Sequence, residues 1–141
     1  MHNPVPHNHS IHLSGQPGEC GEIYEFIDAA LAGVAGGKPV SQELKLVLEE
    51  IHANILKHGN QDSSGCRIDF NLSVFANHIE IQVRDNGSEF NPLTYDSVQA
   101  GRDLSEGGMG VHIIKSLTDS QSYERKDGYN YLTLTRHYGK A

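Results

Sequence analysis

The sequence predicts a two-layer α/β (α+β) sandwich in which three helices cover one face of a mixed, mostly antiparallel sheet. Residues 68–74 and 79–85 alternate between apolar and polar side chains on either side of a short turn, a pattern typical of a β-hairpin. Three other segments, 19–34, 42–58 and 109–117, carry apolar residues at helical spacing instead. Helices packed on one face of a hairpin-built sheet make such a sandwich.

The size and charge of the chain bound its class. With 141 residues it has room for one domain, which we place at residues 10–141 after a flexible tail at 1–9. The formal net charge of −7 argues against nucleic acid or an anionic membrane surface as the main partner. No apolar run reaches the length of a membrane span, and the first residues lack a signal-peptide core. We therefore expect a cytoplasmic protein.

The histidines and cysteines give only weak signals. The histidines of the tail could bind a metal ion, but nothing else in that segment supplies a fixed ligand geometry. Cys20 and Cys66 belong to no C-x-x-C pattern, so we interpret them as ordinary thiols.

The first half of the chain predicts one strand and then two helices. Residues 10–14 alternate as a short strand, and the helix over 19–34 is ended by the glycines and proline of segment 33–39. Ser41 is the predicted N-cap of the helix over 42–58.

Glu50, Asn54 and His58 form a polar edge on this second helix. They lie one turn apart at the border between core and solvent, so their side chains can converge on one point. An amide oxygen is a good neutral ligand for Mg²⁺, and a carboxylate one turn away can deprotonate a hydroxyl near the metal. Taken alone, the spacing is more typical of a solvated helix edge.

Asp85 follows the apolar alternation of its strand and should therefore point inward. A buried carboxylate needs a hydrogen-bond donor, and the exocyclic amine of adenine is one. Gly87 follows in an Asn-Gly turn and would let a flat ring approach the backbone. The alternative is a structural Asp85 that caps this turn.

The loop over 86–107 is longer than most connections in a small domain, which favours a functional role. It ends in Gly107-Gly-Met-Gly110, which runs into the helix over 109–117. Free backbone N–H groups at a helix start can bind an anion such as a phosphate, although a lone glycine-rich turn is weak support. Two strands, 121–125 and 129–137, close the chain around a Lys-Asp-Gly turn.

Together, these motifs resemble the GHKL ATP-binding superfamily, and most closely its bacterial anti-sigma-factor serine/threonine-protein kinases. Leu48-Glu-Glu-Ile-His-Ala-Asn54-Ile-Leu-Lys-His-Gly59 is similar to the N box of that family. Asp85-Asn-Gly-Ser-Glu-Phe-Asn-Pro92 and Gly107-Gly-Met-Gly-Val-His-Ile-Ile-Lys-Ser-Leu117 are similar to its two glycine boxes. The resemblance covers roughly residues 10–138 and implies the family's Bergerat-type ATP-binding fold.

The resemblance also implies roles for residues near the phosphates. Asn54 would coordinate Mg²⁺, Glu50 would be the general base, and His58 would lie near the nucleotide. Three residues of the second glycine box would hold the phosphates: Gly108, Met109 and Gly110. The segment 88–106 would form a lid over the nucleotide.

At the base end, the resemblance implies that Asp85 binds the adenine amine with Gly87 beside the ring. Thr133 corresponds only loosely to a family threonine close to the adenine. One position departs from the pattern, because Glu106 stands where some relatives have an arginine, with Arg102 nearest to it. A carboxylate there would repel phosphate oxygens, so Glu106 argues against phosphotransfer more strongly than against nucleotide binding.

Three functions follow from the resemblance. The leading one is an ATP- and Mg²⁺-dependent kinase that holds a sigma factor or other target, phosphorylates a serine on an anti-anti-sigma (STAS-type) partner and forms a homodimer. The second is a nucleotide-binding interaction module, for ATP or ADP, with little catalysis. The third is an α/β domain that has lost nucleotide binding.

Overall fold

The computed structural model describes residues 6–34, 36–59, 67–94 and 109–138. The predicted α/β sandwich is confirmed, with three helices against a five-stranded sheet. In chain order its elements are β1 His7–Leu13, α1 Cys20–Leu31, α2 Gly37–Asn54 with a π-helical turn Ile55–Gly59, β2 Ile68–Val74, β3 His78–Asp85, α3 Met109–Leu117, β4 Ser120–Lys126 and β5 Tyr129–His137.

Every strand pair in the sheet is antiparallel, in the order β1-β2-β3-β5-β4. The prediction of a mixed sheet is corrected in this respect. The β2–β3 and β4–β5 hairpins give two of the four pairings, and the other two, β1–β2 and β3–β5, are also antiparallel. The register pairs Asp85 with Ile68 on one side and with Asn130 on the other. This register brings the end of β3 and the start of β5 together at one edge of the helix-covered face.

The core lies between that face and the helices. Alternate residues of β2 and β3 point inward and are almost fully buried: Ile68, Phe70, Leu72, Val74, Ile79, Ile81 and Val83. Helix α2 packs between α1 and α3 and contributes Leu44, Val47, Leu48 and Ile51 to the same cluster. Because burying each such side chain stabilises the fold by about 1.5–3 kcal/mol, this layer fixes the position of α2 on the sheet.

Helix α2 begins five residues earlier than predicted, at Gly37. Its N-cap is Gly36, which has a φ of 76° and no Cβ to oppose that conformation. Pro39 lies inside the first turn, where a missing N–H costs nothing. Ser41 is therefore not the N-cap; it is buried inside the helix, and its hydroxyl donates to Asp28 Oδ1 of α1 at 3.1 Å.

Strand β1 begins at His7, so three residues of the predicted tail are ordered in the sheet. Their backbone pairs with β2, where His7 lies opposite Val74. Backbone pairing at a sheet edge does not depend on apolar alternation, which is why the polar residues gave no strand signal. None of the helices in the described residues combines the length and the apolarity that crossing a bilayer requires.

The other elements match their predicted segments closely, except that α1 ends at Leu31, three residues before the predicted end. β2 and α3 have the predicted bounds, and β4 and β5 differ by a residue or less. Asp127 and Gly128 have positive φ angles of 53° and 83°, as a two-residue hairpin turn between antiparallel strands requires. The long loop, including Arg102 and Glu106, lies outside the described residues beyond Thr94, as does Cys66.

Candidate functional site

A pocket opens between α2, the end of β3 and the β4–β5 hairpin. Its lining combines aliphatic and aromatic side chains with three polar ones: Ile51, Asn54, Ile55, Val83, Asp85, Phe90, Pro92, Tyr123, Asn130 and Leu132. A mostly apolar cleft with a few convergent polar groups is typical of a small-molecule site. The sequence predicted two of its polar residues, Asp85 and Asn54, from separate motifs.

Asp85 lines the pocket and is only 5% exposed. Its Oδ1 accepts hydrogen bonds from Gly87 N at 3.0 Å and from Asn130 Nδ2 at 3.0 Å. Burial raises the pKa of this carboxyl, although both hydrogen bonds act in the opposite direction. Within the described residues both bonds end on Oδ1, which leaves Oδ2 for a donor supplied by a ligand.

The structure shows the capping alternative for Asp85, which holds the turn through Oδ1. Its inward position also places the same carboxylate in the lining of the pocket. Gly87 is held on both sides, because its carbonyl accepts from Arg125 Nη1 at 2.8 Å.

Asn130 is a site residue that sequence reasoning missed. It is 4% exposed, and its amide nitrogen donates to Asp85 Oδ1 and to Ser88 O at 2.9 Å. Its Oδ1 accepts from Tyr123 Oη at 2.5 Å and from Phe90 N at 3.4 Å. The available signal was its place in the β5 alternation, where a polar residue takes the inward position that Leu132 and Leu134 take next.

Asn54 lies at the pocket on the last turn of α2 and is 7% exposed. Its Nδ2 is buried without a hydrogen-bond partner among the described residues. An unpaired buried amide costs about 1–3 kcal/mol, so a group that pairs with it on binding recovers that free energy. This burial contradicts the interpretation of a solvated helix edge at Asn54.

Glu50 lies one turn before Asn54 on α2, half-buried and outside the pocket lining. Burial, and secondly the negative charge of Glu49, raises the pKa of the Glu50 carboxyl. A raised pKa makes a carboxylate a better proton acceptor.

His58 follows in the π-helical turn, where its ring stacks on Phe90 with centroids 4.3 Å apart and planes 13° from parallel. Since Phe90 lines the pocket, this stack connects the end of α2 to the loop after Asp85. His58 therefore contacts the pocket wall.

The structure separates Thr133 from this site, which corrects its assignment as a nucleotide contact. Successive residues of a strand point to opposite faces. Asn130 and Leu132 of β5 point toward the helices, so Thr133 points to the outer face, where it lines a shallow groove with Gln82 and Ser122. Gly108 lies outside the described residues, and of Met109 and Gly110 the structure describes only their place at the start of α3.

The pocket suits a flat, partly apolar ring that carries an N–H donor. Phe90, Tyr123 and the aliphatic lining would contact its faces, Asp85 Oδ2 would accept from its edge, and Asn54 would meet a polar extension. Within the described ranges no three acidic, histidine or cysteine side chains cluster as a metal site. A cation here would depend on Asn54 and on oxygens of the ligand itself.

Comparison with known proteins identifies the family. The profile of the histidine kinase-like ATPase domain matches residues 13–136. Because that match spans most of the chain, the protein belongs to the family of histidine kinase-like ATPase domains.

Relatives within the family are named as protein kinases. The serine/threonine-protein kinase BtrW of Bordetella bronchiseptica is 30% identical over 97 residues, which are 67% of this chain and 68% of BtrW. The serine-protein kinase RsbW of Bacillus mycoides is 27% identical over 122 residues, covering 79% of this chain and 76% of RsbW. The serine-protein kinase RsbW of Oceanobacillus iheyensis is 28% identical over 118 residues, which cover 74% of this chain and 75% of that RsbW.

A solved structure is similar in fold. The histidine kinase domain from the blue-light activated histidine kinase of Erythrobacter litoralis EL346 superposes with a TM-score of 0.53. The match covers 83% of this chain and 58% of that one, at 15% identity. At this identity the likeness concerns the fold alone.

Proposed function

We propose that this protein binds ATP and transfers its terminal phosphoryl group to a serine of a partner protein. The observation that carries the proposal is that Asp85 and Asn54 line the same pocket in a chain of this family. Each has a polar atom without a described hydrogen bond, and the two atoms suit the two ends of an adenine nucleotide. The kinase names of BtrW and RsbW support the same class of reaction.

At the base end of the nucleotide, Asp85 Oδ2 accepts a hydrogen bond from the exocyclic amine of adenine. The aliphatic walls of the pocket and the Phe90 ring contact the faces of the purine. A carboxylate in a buried site rejects a ring edge that presents a carbonyl oxygen, because two acceptors then face each other.

At the phosphate end, Asn54 offers Nδ2 to a phosphate oxygen and Oδ1 to a cation. Mg²⁺ held by Asn54 Oδ1 and phosphate oxygens would supply charge neutralisation during transfer. Gly108, Met109 and Gly110 would present backbone N–H groups to the phosphates at the start of α3.

Glu50 acts as the general base of the transfer. The Oγ–H proton of the partner serine passes to the Glu50 carboxylate as the bond from Oγ to the γ-phosphorus forms. The bond from that phosphorus to the bridging oxygen breaks, and ADP leaves with the electron pair. The raised pKa of Glu50 matches it to this task, and its place one turn before Asn54 puts it toward the phosphate end.

The partner we propose is an anti-anti-sigma (STAS-type) protein, with a sigma factor or other signalling target held by the unphosphorylated assembly. A phosphoserine adds close to two negative charges at an interface, and this chain carries a net charge of −7, so phosphorylation would release the partner. A homodimer in the cytoplasm is the expected setting.

The proposal is tested by phosphate transfer from labelled ATP to a STAS-type partner, with Glu50→Gln compared with wild type. Glu50→Gln keeps the size of the side chain and one acceptor oxygen but cannot accept the proton, so transfer should fall by about 100-fold or more. Glu25→Gln is the matched control, since Glu25 is exposed on α1 and the same loss of charge there should leave transfer intact.

Calorimetry with ATP and Mg²⁺ separates binding from catalysis. Equal transfer by wild type and Glu50→Gln would remove Glu50 as the base. ATP binding without transfer to any STAS-type partner would instead favour a nucleotide-binding interaction module, which Glu106 suggested.

A further inference from the structure

We propose that the β4–β5 hairpin, through Asn130 supported by Tyr123 and Arg125, determines which ring edge the pocket accepts. This inference rests on the proposed binding of ATP. It concerns how Asp85 is held so that it accepts a ring edge with an amine and rejects one with a carbonyl. Asp85 makes the contact with the ring, and Asn130 is the positioning residue that orients Asp85 and the loop beside it.

The orientation of the Asn130 amide is dictated by its partners. Asp85 Oδ1 and Ser88 O can only accept, so the amide nitrogen must face them, at 3.0 and 2.9 Å. Phe90 N can only donate, so the amide oxygen must face the other way. The Tyr123 hydroxyl adds a 2.5 Å hydrogen bond to that oxygen, and burial raises the pKa of Tyr123, which keeps its proton available.

This arrangement leaves the amide with no donor for a ligand. Both of its N–H groups are already used, so Asn130 cannot turn to donate to a carbonyl oxygen on a bound ring. A flipped amide would place its oxygen against Asp85 Oδ1 and Ser88 O, which are both acceptors. Among the described residues that line this edge, the polar group left for a ligand is therefore Asp85 Oδ2, which only accepts while the carboxyl is ionised.

The same hairpin also fixes the start of the loop that follows Asp85. Arg125 Nη1 donates to Gly87 O at 2.8 Å, and Asn130 bonds to the backbone of Ser88 and Phe90. Three backbone positions after Asp85 are thus tied to two adjacent strands. Asp85 cannot move away from a poorly matched ring edge without breaking these bonds.

Inosine triphosphate is the probe for this contact, because its ring presents a carbonyl where ATP presents the amine and carries an N1–H donor where ATP has an acceptor nitrogen, so only a carboxylate that can shift along the edge would bind it well. We compare the ratio of ITP to ATP dissociation constants in wild type, Asn130→Ala and Tyr123→Phe. Without Asn130 the Asp85 carboxyl can rotate, or take up a proton and donate to the carbonyl. The preference for ATP should fall about tenfold in Asn130→Ala and about threefold in Tyr123→Phe.

Two variants make the result specific. Tyr129→Phe removes a hydroxyl from the same hairpin but on the outer face, and should leave the ratio unchanged. Asn130→Thr restores one donor toward Asp85 and should recover most of the preference. A merely structural role of Asn130 would weaken both nucleotides equally and leave the ratio alone.

The outcomes separate this inference from the function on which it rests. An unchanged ratio in Asn130→Ala and Tyr123→Phe, with ATP still bound, overturns the inference and leaves ATP binding standing. Failure of wild type to bind either nucleotide overturns the proposed function, and this inference with it. If Asn130→Ala does not fold, the conservative Tyr123→Phe decides by the same ratio.

Discussion

The two oxygens of the Asp85 carboxylate differ in their contacts. Oδ1 holds the turn after β3 through Gly87 N and is itself held by Asn130, while Oδ2, which has no hydrogen bond within the described residues, is the oxygen that we propose contacts a ligand. Its pKa is raised by burial, so the folded state favours the protonated form relative to the unfolded chain. That contribution to stability is complete below the ordinary value of 3.8 and is lost as pH rises through the folded value. At neutral pH the charge is kept at a cost to stability, which is typical of a functional group.

Asp85→Asn should change the preference of the pocket from ATP towards ITP. The amide oxygen can still accept from Gly87 and Asn130, and the amide nitrogen replaces Oδ2 with a donor. Affinity for ATP should fall by about 10- to 100-fold while ITP comes to bind as well as ATP or better. Calorimetry with both nucleotides at pH 7 is the measurement.

The matched control is Glu89→Gln, which makes the same charge change at an exposed position of the same loop. It should retain the wild-type order of affinities. An Asp85→Asn protein that still prefers ATP would show that Oδ2 does not meet the ring edge.

At the scale of elements, a buried network connects α1 to α2. Glu19, just before α1, accepts from Ser14 and Gln16, and its Oε1 lies 2.8 Å from His52 Nε2 of α2. Glu19 and His52 are 8% and 3% exposed. Although burial acts to raise it, these hydrogen bonds lower the pKa of Glu19. This link fixes the helix that carries Glu50 and Asn54.

Glu19→Gln should destabilise the protein at pH 7 and do so less in acid. A lowered folded pKa means that ionised Glu19 stabilises the fold above the ordinary value of 4.5 and stops doing so as pH falls through the folded value. We expect a loss of about 1–3 kcal/mol in the free energy of unfolding at pH 7, and a smaller difference from wild type at pH 3.5.

Denaturant titrations at the two pH values check this. Glu22→Gln, on the exposed side of α1, serves as the control and should change stability by less than about 0.5 kcal/mol at both. A Glu19→Gln deficit that is the same in acid would contradict the assignment to ionised Glu19.

At the scale of the whole molecule, the sheet separates two environments. Its inner face carries the core and the pocket, and its outer face carries polar side chains such as Thr133, Gln82 and the ion pair of Arg84 with Asp69. Nucleotide binding on the inner face should therefore be insensitive to the outer one.

Thr133→Ala tests this separation. ATP at about 100 times its dissociation constant should stabilise wild type by about 2.7 kcal/mol, a rise in Tm on the order of 10 °C. Thr133→Ala should show the same rise in thermal melts, since its side chain points away from the pocket. A rise that disappears in this variant would place Thr133 at the nucleotide after all.

Local pattern determined most of the fold and part of the site. The alternation of β2 and β3, the helical spacing of α3 and the inward direction of Asp85 follow from chain periodicity alone, and the structure agrees with each. The predicted start of α2 was wrong because Pro39 is compatible with a first helical turn as well as with a helix end. The start of β1 was wrong because edge pairing with β2 orders a polar segment.

Only the tertiary structure decided what surrounds Asp85. Asn130 is 45 residues away in sequence and reaches it through the register of β3 with β5. That register also places Thr133 on the opposite face, since a strand turns every second side chain away. Periodicity fixes which way a side chain points within its own element. Which side chains meet depends on pairing between distant segments, and that is set by the packing of the whole core.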